Sequence, residues 1–243
     1  MLTLTILGCD GSHSSAGGAA SGYLVREWDS ATTIWLDAGP GTFANLQRFC
    51  DPRTVDAIVL SHSHSDHWTD IDGFLTAARW TAKPPYGPVR VLAAPDIADN
   101  LLQETDGVFL FEEVTESTKA AVGGISLSFS RTDHGPVTFA TRIEGAGRVL
   151  GYSADTGAGW SFEQLGPGID LALCEASYTT EYEGTAGHLS GRQAGKMARD
   201  AGVGRLLVTH MSPVVDHDAI LKEALQTFGA PVMRAAVGRG YTV

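Results

Sequence analysis

The chain has 243 residues, a formal net charge of −11 and a hydrophobic fraction of 43%, enough to bury a sizeable core. The acidic balance disfavours long nucleic acids, whose binding rests on Lys and Arg neutralising phosphates, and no basic run occurs anywhere. No apolar run approaches the ~18 residues of a membrane-crossing helix, and the opening MLTLTILGCDG lacks a basic segment followed by a long apolar one, so neither a membrane partner nor a signal peptide is expected.

In chain order, LTLTILG, SGYLVREW, TTIWLDAG and VDAIVLSHSH read as strands, from their alternation and β-branched residues. The loop GCDGSHSSAGGAASG after the first of them is rich in uncovered backbone N–H groups of the kind that cradle phosphate. A helix is expected over TDIDGFLTAARW, a strand over VRVLAAP and a helix over DIADNLLQE. Trp68 and Trp80 flank the first of these helices; core packing is the expectation for both, with stacking on a nucleobase as the alternative.

The second half repeats the scheme. ISLSFSRTDHG, VTFATRIEG, GRVLGYSADTG and IDLALCEAS read as strands, and the helix SGRQAGKMARDAG has Ser190 as a natural N-cap. Then come the strand RLLVTHMS, the helix DHDAILKEALQTFG and a closing strand PVMRAAVGRGYTV. TTIWLDAGPG matches RVLGYSADTG in rhythm, and DAIVLSHS matches GRLLVTHMS. The sequence therefore reads as a weak internal duplication: an α/β sandwich of two β-sheets face to face, helices covering each outside, αββα in order. No linker-like segment interrupts it, so residues 1–243 are expected to form one domain. Cys9, Cys50 and Cys174 are scattered and odd in number, which fits a reducing, cytoplasmic setting and buried apolar roles better than disulfides.

LSHSHSDHW packs three histidines and an aspartate behind an apolar strand. Ligand sites in α/β folds gather beyond strand carboxyl ends, and His62 and His64, two apart, project to one side of an extended chain. Asp66 and His67 follow once the chain has turned. Imidazole and carboxylate are the donors expected for zinc or manganese; a solvated His-rich loop is the plain alternative. Against it stand His134 in RTDHGP, Asp155 in YSADTG and His210 in LLVTHMSP, each placed behind its own apolar strand.

This HxHxDH run, with its downstream His134, Asp155 and His210, resembles the metallo-β-lactamase superfamily over essentially the whole chain. The resemblance implies the metallo-β-lactamase fold and two divalent ions, zinc first and manganese second. His62, His64 and His134 would hold one ion, Asp66, His67 and His210 the other, and Asp155 would bridge them. His67 directly after Asp66 departs from true β-lactamases. The resemblance also places the loop GCDGSHSSAGGAASG at the border of the site, which makes His13 and Ser14 candidate substrate contacts, a mobile surface loop being the alternative. Asp37 in WLDAGPG would brace the metal-binding loops, or else shape a turn; His217 receives no role.

Glu175 in LALCEASY and His188 in GTAGHLSGRQAG look like the pair found in the ribonuclease Z-like phosphodiesterases. That likeness makes His188 the general acid, oriented by Glu175, with Asp66 counted among the catalytic residues, and metal-activated hydroxide as the attacking group. True ribonuclease Z proteins carry an RNA-gripping arm between the His134 and Asp155 positions; here only GPVTFATRIEGAGRVLGYSA separates them. The expected substrate is therefore a small or cyclic nucleotide-type phosphodiester, handled by a monomer or a homodimer. The alternatives are an RNA-processing endonuclease, a thioester or lactone hydrolase, and a non-catalytic binding protein.

Overall fold

The alternating runs of the first half fold as β1 (Leu2–Gly8), β2 (Gly22–Glu27) and β3 (Thr32–Ala38). They are followed by α1 (Thr42–Leu46), β4 (Ala57–Leu60), α2 (Ile71–Trp80), β5 (Val89–Ala93) and β6 (Phe109–Glu113). The second half supplies β7 (Lys119–Val122), β8 (Ile125–Arg131), β9 (Phe139–Gly145), β10 (Arg148–Tyr152) and β11 (Leu171–Glu175). Then come α3 (Gly191–Asp200), β12 (Leu206–Thr209), α4 (His217–Phe228), β13 (Val232–Arg234) and β14 (Gly240–Thr242). The structure is a computed structural model and describes residues 1–80, 86–101, 105 and 107–243.

Two seven-stranded sheets result, ordered β14-β1-β2-β3-β4-β5-β6 and β13-β12-β11-β10-β9-β8-β7. The first runs antiparallel from β14 to β3 and parallel from β3 to β6. The second is antiparallel from β7 to β10 and parallel from β10 to β13. This is the αββα sandwich expected from the duplicated rhythm, with one correction. β3 does correspond to β10, but the first parallel strand after each meander is β4 in one sheet and β11 in the other. The topological counterpart of DAIVL is thus LALCE, and RLLVT, which the sequence rhythm pairs with it, takes the place of β5.

Period-two alternation explains the layers. In β11, Leu171 and Leu173 face the core between the sheets, whereas Ala172 and Cys174 face α3 and α4, packing with Ala194, Ala198, Ile220 and Ala224. On the other outside, α2 buries Ile71, Phe74, Leu75 and Ala78 against the first sheet. Its first-turn and solvent-side polar residues give it the one-sided pattern of a surface helix.

Several expectations change. β4 stops at Leu60, so the histidines that follow leave the sheet and pass into a single 3₁₀ turn, Ser65–His67. The closing run is two strands on different sheets: β13 extends the second, and after a turn with Gly238 at φ 84°, β14 returns to pair with β1. Of the helix expected over 96–104, residues 102–104 lie outside the described residues, and the described part holds only a 3₁₀ turn, Ala98–Asn100. Trp80 is 79% exposed rather than packed in the core. The short α1, β6 and β7 had no expectation at all.

Phe74 is fully buried, with ring centroids 5.8 Å from Phe43, 5.7 Å from Phe109 and 5.1 Å from Tyr86. Phe74→Ala leaves a cavity among these rings and should cost about 3–5 kcal/mol of unfolding free energy. Urea titration checks this, and a loss under about 1 kcal/mol would mean that the helix is not anchored through this ring.

Candidate metal centre

The carboxyl ends of β3, β4, β8, β10, β11 and β12 converge on one rim of the sandwich, where parallel strands deliver their following loops. Asp37, Ala154 and His210 all adopt left-handed backbone there, with φ of 52°, 50° and 54°. Such a conformation costs an ordinary residue about 1–2 kcal/mol, so the surrounding packing holds these turns in place. Glycines make room for them. A Cβ on Gly39 would lie 2.0 Å from the Asp66 carbonyl oxygen, and one on Gly11 would lie 2.5 Å from that of His210.

Seven side chains meet in two groups. In the first, His64 Nδ1 lies 3.1 Å from His62 Nε2 and 3.2 Å from His134 Nε2, and His62 Nε2 lies 3.6 Å from Asp155 Oδ2. In the second, His210 Nε2 lies 3.3 Å from both His67 Nε2 and Asp66 Oδ2. Asp155 Oδ1 lies 3.3 Å from His67 Nε2 and 3.4 Å from His210 Nε2. It is buried and accepts no hydrogen bond from the described residues. A tetrahedron of ~2.0–2.1 Å bonds has edges of about 3.3 Å. The spacing, the oxygen without a donor and the N/O donor set all suit a divalent ion in each group.

The outer nitrogens are committed. His67 Nδ1 donates to Asp37 Oδ2 at 2.8 Å, and His62 Nδ1 meets Ser61 Oγ at 3.0 Å. Ser177 Oγ lies 2.9 Å from His210 Nδ1, and the Gly187 carbonyl 3.2 Å from His134 Nδ1. With each Nδ1 so bonded, the Nε2 lone pairs of these four rings are left for the centre. Asp37 also accepts Ser61 N–H, Ser61 Oγ–H and Tyr152 O–H. Burial works against charge on His67, but the Asp155 and Asp37 carboxylates beside it win and hold its pKa well above the ordinary imidazole value. Burial and the neighbouring His67 push that of His62 well down.

His188 stands at the edge of the cluster, its Nδ1 2.9 Å from Glu175 Oε1 and its ring 5.4 Å from that of His210. Glu175 is buried and fixed by Thr156 N–H at 2.8 Å and Ser177 Oγ–H at 2.9 Å. Burial disfavours the imidazolium, yet the Glu175 charge and hydrogen bond outweigh it and raise the His188 pKa to about 9. Ser190 caps α3 through a capping box with Gln193, which anchors the far side of the His188 loop.

The structure thus gathers every residue of the expected constellation, and Asp37 braces it. Of the loop candidates, Ser14 is taken up by the Pro40 carbonyl and Ala20 N–H, while His13 is exposed and touches Ser12 Oγ. Trp68 is buried, with its indole N–H on the Ser63 carbonyl. His217 sits between the Ser212 carbonyl and Arg234. The sequence reading missed Ser61, Tyr152, Ser177 and the Gly187 carbonyl. Ser61 and Ser177 stand beside their motifs and were within reach; Tyr152 and a backbone oxygen leave no signal.

Comparison with known proteins agrees with this geometry. The beta-lactamase superfamily domain matches residues 32–211. An uncharacterized protein of Mycobacterium tuberculosis is 33% identical, over 94% of this chain and 88% of its own length. The probable metallo-hydrolase YhfI of Bacillus subtilis is 28% identical over 98% of both chains, and its crystal structure superposes with a TM-score of 0.90, covering 99% of this chain and 98% of that one. The short form of human tRNase Z shares the fold at a TM-score of 0.78 and 18% identity, covering 99% of this chain and 98% of that one.

An ion at His67 Nε2 must displace the proton that the two carboxylates favour. Zinc binding should therefore release protons and tighten as the pH rises. Calorimetry in buffers of different ionisation enthalpy counts them, and no release would contradict the arrangement. Asp37→Asn should weaken zinc binding about 10–100-fold, read by competition with a chelator.

Proposed function

The chain belongs to the beta-lactamase superfamily, in its ribonuclease Z-like branch, and on that premise we propose that the cluster is a dinuclear centre hydrolysing small, nucleotide-type phosphodiesters. Asp155 carries this reading, because one of its oxygens faces each donor group. His62, His64 and His134 would hold one ion and Asp66, His67 and His210 the other, with zinc the first choice and manganese the second. Bound there, the ions would supply a water of near-neutral pKa and offset charge on the phosphoryl oxygens.

The remaining work falls to the chain itself. Glu175 holds His188 through Nδ1, which leaves the Nε2 proton for the departing ester oxygen. A nucleotide alkoxide is a poor leaving group, so a positioned acid counts for about 10²–10⁴-fold in rate. Thr156 and Ser177 fix Glu175, and through it the tilt of the His188 ring. Two features favour a small substrate over RNA, although one structural relative is a tRNase Z. The surface is acidic, and residues 135–154 hold the β9–β10 hairpin, which is built into the sheet.

A screen with added zinc or manganese, using bis-p-nitrophenyl phosphate, cyclic nucleotides, a tRNA precursor and a thioester, tests the proposal. Turnover of the small diesters is expected; turnover of the thioester or the tRNA precursor alone would overturn it. His188→Ala should lower kcat on the diesters about 10²–10⁴-fold, and an unchanged kcat would remove it from the mechanism. A folded-state pKa of about 9 means that the proton donor is present at neutral pH and lost as the pH rises through that value. Cations nearby can only lower it, so the alkaline limb of kcat should lie at or below pH 9. Glu175→Gln should move that limb down by about 1 unit or more.

A further inference from the structure

From the rim of the metal centre an open cleft of about 570 Å³ runs outward, lined by Arg131, Thr132, Asp133, His134, Gly135 and Gly187. His134 is one of its lining residues, and Gly187, another, is the residue before His188. The walls are bare where the two glycines stand: a Cβ on Gly135 or Gly187 would meet nothing within 4 Å. Arg131, the last residue of β8, is exposed and brings a positive charge to this space.

Some of the cations in this acidic chain are matched by carboxylates. Arg53, Arg90, Arg142, Arg148 and Arg192 each pair with a carboxylate. Among the described residues the Arg131 guanidinium has no such partner; the nearby Glu116 takes its backbone N–H instead, at 3.4 Å. Asp133, the acid that also lines the cleft, has its Oδ2 occupied by Gly159 N–H at 2.8 Å. What remains is a planar fork of donors three residues from His134, on a cleft whose walls are bare at Gly135 and Gly187. A guanidinium so placed matches a carboxylate or phosphate better than any neutral group.

We infer that the substrate carries a second anionic group, a carboxylate or a phosphate, on an ester arm that lies along this cleft and meets Arg131. The inference rests on the phosphodiesterase reading and narrows it, from small diesters in general to those with two anionic centres.

Two diesters that release the same chromophore test it: p-nitrophenyl phenyl phosphate and its 4-carboxyphenyl counterpart. The zinc-loaded protein should prefer the carboxylated diester in kcat/KM by about tenfold, the scale of one charge-assisted hydrogen-bonded pair. In Arg131→Gln the ratio of the two should fall to near unity, and in Arg131→Lys, which keeps the charge but not the fork, it should lie between. No preference in the wild type, or an undiminished preference in Arg131→Gln, overturns the inference. A thermal melt verifies that the variants fold. Calorimetric binding of 4-carboxyphenyl phosphate separates the two levels of the argument. If neither diester turns over but that ligand binds the wild type at least about fivefold more tightly than Arg131→Gln, again within one such pair, the anion site stands and the phosphodiesterase reading falls. Equal binding by the two proteins removes the anion site whatever the activity.

Discussion

A carboxylate buried to zero exposure at the junction of two sheets must be met by donors, because an unpaired charge there costs several kcal/mol. Asp37 is that carboxylate. It comes from β3 in the first sheet, takes the Ser61 amide and hydroxyl from the turn after β4, and takes the Tyr152 hydroxyl from β10 in the second sheet. Its remaining bond, to His67 Nδ1, sets the ring that faces the candidate metal centre. The two sheets are thus keyed to each other through the same oxygen atoms that aim a histidine. Sliding one sheet past the other would leave buried donors without an acceptor, which restricts the apolar interface, tolerant by itself, to one register.

The gathering of the site residues was more legible in the sequence than the topology. HxHxDH is contiguous, so its donors announce themselves, and His134, Asp155 and His210 each stand where an apolar run ends. Glu175 and His188 are 13 residues apart, yet they meet because β11 ends at the rim and the loop capped by Ser190 returns to it. Tyr152 reads as one more apolar residue of β10, and nothing local marks its hydroxyl as a partner of Asp37, 115 residues away. The Gly187 carbonyl that aims His134 is invisible in any sequence, being backbone.

The misread elements have local causes. The run from Pro231 to Val243 has strand-like composition throughout, and only the glycines near Gly238 mark where it leaves one sheet for the other. α1 has five residues and no side-chain cap, too little for periodicity to register. The duplicated rhythm paired β4 with RLLVT because both are followed by a histidine, whereas hydrogen-bonded order pairs it with β11. Chemical likeness misled the alignment of the halves: equivalent strands bear Ser61-His62 on one side and Glu175 on the other.

That inequality has an electrostatic consequence. Asp37, Asp66, Asp155 and Glu175 place four carboxylates in or against one buried region. Without cations, protons must balance them, and the chain shows it: the pKa values of His67 and His188 are both raised, against burial, by these same acids. Two divalent ions would carry four positive charges, enough to neutralise the group while freeing His67 to act as a donor. The exterior would stay acidic. Such a field repels a long polyanion along its whole length but is screened within about 8 Å at physiological salt, so a small anion that enters the cleft meets the local charges of Arg131 and the centre instead. Selection by size would then follow from charge placement alone, with no steric gate needed.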